Sequence, residues 1–464
     1  MKFKTTLILL GVFIVLLAGI ILIENKSEKA KEIKEKAEKL TDFQASEVEK
    51  ISLKNEDQTT IITLSRDENG NWQIVEPIKA EADNYEANSL VESLASLRIE
   101  HTVEKEGADL KTYELPKKEI FLWIKGKSEP VHILIGMENP LDHSLYAKRT
   151  DQPAVVLLAS YLKNSLDKKL IDLRNKEVFK FESKDIKTVE VKTKESTWKA
   201  VKEGENWKLT SPVEALASKY QVDNLVDNLS RLRAKDFICE EKKSEDLKTY
   251  GLDQPEFTVK ITLPGSKELT FFLNKKDNRL LATTSWSSKI VEVETQIEND
   301  LNKKIQDLRE KKVAVFNSWE ATSIRIKRPD EQIHAFKEKV KEKEAELEKW
   351  FIETMDGKKV PADESKVESA LRKIEYLEAS DFIDRPASLK DYGLEPAEIE
   401  IAISTQSSDN QTREIYLTVG KEIKEKNLVP VKNGQLNYLF LVTPSFLSEI
   451  PSKLEEWKQV ESKK

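Results

Sequence analysis

Hydrophobic positions fall into three regimes along the chain. Residues 5–23, TTLILLGVFIVLLAGIILI, form an apolar run without a charge. As a helix such a run reaches about 28 Å, the hydrocarbon thickness of a bilayer. The next segment, 24–41, reads ENKSEKAKEIKEKAEKLT and alternates lysine with glutamate. Glu32–Lys36 and Glu35–Lys39 are i,i+4 pairs in the favourable order, so this segment predicts a charged helical stalk. From residue 42 onward, short stretches of period two mix with stretches of helical period, the pattern of a folded region built from strands and helices.

That third regime repeats. Ile171–Phe181 reads IDLRNKEVFKF and Gln306–Phe316 reads QDLREKKVAVF, with the shared Asp-Leu-Arg 135 residues apart. From there other landmarks align. Phe43, Phe181 and Phe316 each stand eight residues before a strand position, Ile51, Val189 or Ile324. Trp72, Trp207 and Trp350 follow in NGNWQIVEP, GENWKLTSP and LEKWFIETM. Tyr113, Tyr250 and Tyr392 come next in LKTYELP, LKTYGLDQP and LKDYGLEP, at Trp-to-Tyr spacings of 41, 43 and 42. So long a period means tandem domains rather than a solenoid. The expected organisation is a cytoplasmic tail 1–4, a transmembrane signal anchor 5–23, a stalk 24–41, and repeat domains 42–176, 177–311 and 312–464.

Within a copy, two alternating strands (EKISLKN and TTIITLSR in the first) precede a short tryptophan strand. A helix follows, with Ala87, Leu90, Val91, Leu94 and Leu97 on one face; Val222, Leu225, Val226, Leu229 and Leu232 repeat it, as do Val367, Leu371, Ile374 and Leu377. Four strands come after the tyrosine motif, then a last helix over 160–173. Strands and helices mix without βαβ alternation, so the fold class expected is α+β, with a mixed, largely antiparallel sheet and helix in each copy. The charged stretch Lys337–Lys349 predicts a protruding helix or a helical extension of a hairpin in the third copy.

Composition narrows the chemistry. A net charge of -7 argues against a nucleic-acid partner. Thirteen glycines in 464 residues leave no phosphate-cradling loop, and none of the G-x-x-x-x-G-K-[ST], G-x-G-x-x-G or G-x-S-x-G spacings occurs. The lone Cys239 permits no intrachain disulfide. The four histidines, His101, His132, His143 and His334, form no H-E-x-x-H motif and recur at no common position, so metal ligation by His132 and His143, though conceivable, is not expected. The sequence therefore offers no catalytic residues, no metal site and no cofactor.

The landmarks have mechanical readings. Each tryptophan suits a core strand facing the following helix. Gly251 and Gly393 suit the left-handed turn that ends a helical segment, whereas the first copy has Glu114 there. Arg174 and Arg309 read as joint-setting residues between copies. The third copy ends at Lys453-Leu-Glu-Glu-Trp457 without the motif, as expected where no copy follows.

The anchor followed by tandem W-x-[IL]-x-x-P and Tyr-Gly-Leu-x-x-Pro landmarks resembles a bacterial envelope family of unknown function whose members are encoded beside ABC transporters of the gliding-motility type. The third copy departs from the pattern at Met355 and Ser388. The resemblance implies an inner-membrane protein, single-pass through residues 5–23, with its bulk in the periplasm or cell exterior. Six lysines follow the span against two before it, which by the positive-inside rule favours the opposite orientation, but large domains translocate largely regardless of local charge. The implied partners are the bilayer and an ABC permease or other envelope proteins. The expected role is a non-enzymatic scaffold or binding subunit; the alternative is an exported enzyme or wall-remodelling protein.

Overall fold

The structure, a computed structural model, describes residues 38–56, 61–342, 345–354, 357–407 and 410–459. The proposed anchor and the stalk up to residue 37 lie outside these. No helix among the described residues is long and apolar enough to cross a membrane. The chain divides into two compact units, Met1–Lys176 and Glu177–Lys464. The first contains one nine-stranded sheet and the second contains two more of the same topology.

The first copy defines the pattern. Its strands are β1 (Val48–Lys54), β2 (Ile61–Arg66), β3 (Trp72–Glu76), β4 (Ala80–Glu81), β5 (Ile99–Glu104), β6 (Lys118–Ile124), β7 (Val131–Glu138), β8 (Leu145–Arg149) and β9 (Val155–Leu158). They lie in the order β4-β3-β2-β1-β6-β7-β8-β9-β5, with antiparallel neighbours throughout. Two meanders thus meet at β1 and β6. The helix Asn84–Ala95 carries the chain from β4 at one edge to β5 at the other.

Helix and sheet bury each other. Ala87, Leu90, Val91 and Leu94 form the buried stripe of the helix, and Asp83 caps its start by accepting from the Tyr85 and Glu86 amides. In β7, Ile133 and Ile135 join the core beneath the helix. Leu134, between them, points to the opposite face and joins a smaller cluster with Tyr113, Leu115 and Val155. Helices Lys219–Ser230 and Glu364–Glu375 repeat the arrangement, capped by Ser218 and Asp363.

Five sequence expectations change. Among the described residues every strand pair is antiparallel, so the sheets are not mixed. Among the described residues each copy has nine strands, not seven, because β4 is too short to show a period and β5 is a polar edge strand. Residues 38–41 belong to the first copy rather than the stalk: the Leu40 amide donates to Leu97 O, and Leu40 and Thr41 are buried. The last helix is two short ones, Leu162–Leu166 and Leu170–Leu173, broken at Asp167-Lys168-Lys169. The charged stretch of the third copy is not helical. It forms a ribbon of strands Gln332–Glu342 and Ala345–Glu353, whose register sets Glu338 opposite Lys349, Lys339 opposite Glu348 and Lys341 opposite Glu346. Alternating charge has period two as well as helical i,i+4 pairs; continuation of a hairpin already formed below it decides for the strand.

Candidate functional site

The three tryptophans occupy one position in three copies. The carbonyls of Trp72, Trp207 and Trp350 each accept from an alanine amide just before the helix: Ala82 (3.2 Å), Ala217 (2.9 Å) and Ala362 (3.0 Å). All three side chains are buried. A cation from the neighbouring strand lies over each ring: Arg66 at 4.2 Å, Lys202 at 5.7 Å and Lys337 at 5.2 Å. On the helix side the copies diverge. Trp72 Nε1 donates to Asn88 Oδ1 (2.9 Å) and Trp207 Nε1 to Asp223 Oδ1 (2.7 Å). Trp350 Nε1 has no acceptor among the described residues. The corresponding helix residue, Glu368, lies 3.6 Å from Arg372 instead.

The tyrosine motifs build a tight corner on the opposite face of each sheet. Leu115, Leu252 and Leu394 donate amide hydrogens back to Leu110, Leu247 and Leu389 O (3.0, 2.7 and 3.0 Å). Gly251 and Gly393 take the left-handed conformation, at φ 69 and 67°. Glu114 takes it too, at φ 52°, so the first copy keeps the turn without the glycine. The tyrosine carbonyl then lies against the strand equivalent to β7. A Cβ on Gly136 would stand 2.2 Å from Tyr113 O, and one on Gly420 would stand 2.0 Å from Tyr392 O. The second copy has Asn274 at this position, and its Nδ2 donates to Tyr250 O (2.9 Å). Tyr113 differs in its phenol, which donates to Glu104 Oε1 at 2.5 Å; that bond, with burial, raises its pKa to about 12.

Asp-Leu-Arg closes each copy onto its own helix start. Leu173 O accepts from the Asp83 amide (2.9 Å) and Leu308 O from the Ser218 amide (2.8 Å). Trp457 O accepts from the Asp363 amide (2.8 Å), so the third copy does carry the element, as Glu456-Trp457-Lys458. Arg174, Arg309 and Lys458 bridge Ala82, Ala217 and Ala362. Arg174 and Arg309 are buried.

Within the second unit, Arg309 reaches from the second copy into the third. Its guanidinium pairs with Asp384 and lies 3.7 Å from the Phe382 ring centre and 4.6 Å from that of Tyr438. Ala215 of the second copy belongs to the core of the third, and Val213 packs on it. The connection between the two copies has no slack. The Glu310 amide donates to Leu216 O (2.9 Å), and Lys311 O accepts from the Ala379 amide (2.8 Å). The equivalents of Phe382 and Tyr438 in the first copy are Thr102 and Ala154.

The remaining polar groups are dispersed. His132 stacks on Phe121 (4.0 Å) and bonds Glu119 (3.1 Å); His143 lies 3.5 Å from Glu138; His334 bonds Glu353 (2.9 Å); His101 is exposed on β5. Among the described residues no group of three His, Cys, Asp or Glu side chains converges as metal ligands do. A cavity of about 500 Å³ in the first copy is lined by lysines matched to acids: Lys117 to Glu56 and Glu114, and Lys118 to Asp167. Cys239 is half-buried, its thiol 3.9 Å from Asp246 Oδ2.

The profile of a family described as Domain of unknown function (DUF4340) matches residues 72–238 and again 207–397. The two matches begin at Trp72 and Trp207 and each runs past the end of its copy into the next. No curated protein matches the sequence. A crystal structure of a DNA polymerase sliding clamp from Pseudomonas aeruginosa aligns at 8% identity, covering 88% of this chain and 94% of that one. Its TM-score of 0.12 carries no argument about fold or function.

Proposed function

The chain belongs to the DUF4340 family of domains of unknown function, and from that premise we propose that it is a membrane-anchored scaffold or binding subunit of the bacterial envelope. In this reading residues 5–23 anchor it in the inner membrane and the copies extend into the periplasm or cell exterior. It serves an ABC transport system of the gliding-motility type, as the tandem tryptophan and tyrosine landmarks suggest.

The observation that supports this reading is the Arg309 joint. Repeated modules gain from linkage only when geometry lets them engage together. A buried arginine held by Asp384, Phe382 and Tyr438 fixes one copy against the next, which suits a spacer or multi-point surface. An active site would need chemistry, and the landmarks the copies share are packing and backbone devices. A bilayer anchor would in addition concentrate the protein near membrane partners.

Crosslinking in intact cells followed by mass spectrometry tests the proposal. Crosslinks from the first copy to an ABC permease or its ATPase are the expected result. Recovery of no transporter subunit, together with hydrolytic activity of the purified protein, would overturn the scaffold in favour of an exported enzyme.

A further inference from the structure

The third copy differs from its sisters at one place in three ways. First, its ribbon is longer than the equivalent hairpins: strands of 11 and 9 residues replace strands of 6 and 5 in the first copy. Second, the second helical residue is Ser365, where the sisters have the exposed Tyr85 and Tyr220. Third, Glu368 stands where Asn88 and Asp223 accept the indole hydrogen, and among the described residues Trp350 Nε1 has no partner while its residue is 3% exposed. A groove of about 650 Å³ opens at this place, lined by Val340, Trp350, Phe351, Pro361, Ser365 and Gln459.

Among the described residues Trp198 and Trp457 also have indole nitrogens without an acceptor. What separates Trp350 is that both sister copies satisfy the same atom and that it lines the groove. A buried donor left unpaired is costly, so a ligand oxygen there gains more than an ordinary hydrogen bond.

The backbone beside the groove specifies the ligand's shape. Strand Ala345–Glu353 pairs along its length with Gln332–Glu342. On its other side it meets Lys359–Pro361 only through Phe351, Ile352 and Glu353. Glu346, Leu347 and Glu348 therefore have no strand beyond them among the described residues. Leu347 is exposed and stands opposite Val340, giving an apolar step on a charged ribbon. The lysines and glutamates around it discourage unselective edge pairing. The groove is also lined by Asp363 and Glu364, in or beside the first helical turn, and the Asp363 carboxylate already caps the Lys366 amide. Two acids disfavour a phosphate or carboxylate ligand and leave a neutral carbonyl as the matching acceptor.

We propose that the third copy binds an extended polypeptide segment of a partner protein at the foot of this ribbon. The segment adds a strand along residues 346–348, seats an apolar side chain in the groove, and presents a carbonyl oxygen to the Trp350 N–H. Strand addition of this kind draws affinity from main-chain bonds and selectivity from side-chain pockets. This deepens the binding-scaffold reading and rests on it, but its test needs no transporter, so the two fail separately.

The test uses the full chain in detergent and linear peptides selected from a random phage-displayed library. Selected peptides are expected to bind the wild type and to protect the amides of residues 346–348 from hydrogen exchange. Ser365→Tyr places the sisters' larger side chain at the groove rim, and Glu368→Asn supplies the sisters' acceptor. Each should weaken binding by about tenfold or more while leaving the melting temperature no lower. Absence of enrichment on the wild type over Ser365→Tyr overturns the proposal. So does binding that leaves those amides exchanging freely.

Discussion

Trp207 donates its indole hydrogen to Asp223 Oδ1 at 2.7 Å, and of the three tryptophan positions this is the one closed by a carboxylate. Burial opposes the charge on Asp223, but hydrogen bonds from Lys219 and Trp207 outweigh it and hold its pKa below the ordinary 3.8. The stability it contributes is therefore present above 3.8 and lost as pH falls through the lower folded value. Asp223→Asn copies the first copy's Asn88 and keeps the indole bond without the charge. Thermal melts of the full chain from about pH 6 to about pH 3 should show a smaller acid loss for Asp223→Asn than for the wild type. Equal losses would mean that the carboxylate does not sense folding.

The third copy offers the converse experiment. Glu368→Asn places an amide oxygen where Asn88 sits in the first copy, within reach of the unpaired Trp350 N–H. The lost contact with Arg372 is exposed and worth little. A gain of about 1 kcal/mol is expected, read as a raised denaturant midpoint at unchanged slope. A lowered midpoint would show that the indole nitrogen is not reached from that helix position.

The tyrosine corner gives a steric prediction. Gly136→Ala or Gly420→Ala drives a Cβ into Tyr113 O or Tyr392 O, which are backbone atoms that cannot swing aside. Each should cost about 1–3 kcal/mol. Asn274→Gly, which gives the second copy the residue of its sisters, removes the hydrogen bond to Tyr250 O, and a longer one to Lys275 O, without a clash and should cost about 0.5–1.5 kcal/mol. Urea titration of each variant measures the ranking. A Gly420→Ala variant as stable as the wild type would mean that the corner relaxes.

How much of this was legible depended on range. The helix stripe from Ala87 to Leu94 and the alternation of β6 and β7 are local patterns, and they predict their elements correctly. The two-residue β4 has no period to detect, and β5 is paired along one side only, so its polar residues hide it. The ribbon misled because lysine–glutamate alternation satisfies two periods at once. The tryptophan acceptors carried a faint signal: Asn88 and Asp223 both lie sixteen residues after their tryptophans. The receptor of Arg309 carried none, since Asp384 is 75 residues away and Tyr438 farther still. The third copy does lack Asp-Leu-Arg, but expecting no equivalent element there failed, because what the copies share is a backbone carbonyl, which Trp457 supplies as well as leucine.

Arg309 is where the mechanical and functional arguments meet. Its guanidinium is buried, but its partner Asp384 is 41% exposed, so removing the arginine leaves a carboxylate that water can still reach. The cost of Arg309→Ala is then mostly lost stacking on Phe382 and Tyr438, about 2 kcal/mol, rather than the larger penalty of an orphaned buried charge. Arg309→Lys keeps the charge but loses the planar face, so it should recover only part of that loss. The decisive readout is cooperativity. If the joint couples the second and third copies, the wild type should unfold them together, and Arg309→Ala should split that transition in calorimetry while leaving the first unit's transition in place. Small-angle scattering of the variant should show a larger radius of gyration at unchanged mass. A single unsplit transition with unchanged scattering would mean that the apolar contact of Val213 and Ala215 holds the copies together unaided, and the arginine would lose its place in the scaffold argument.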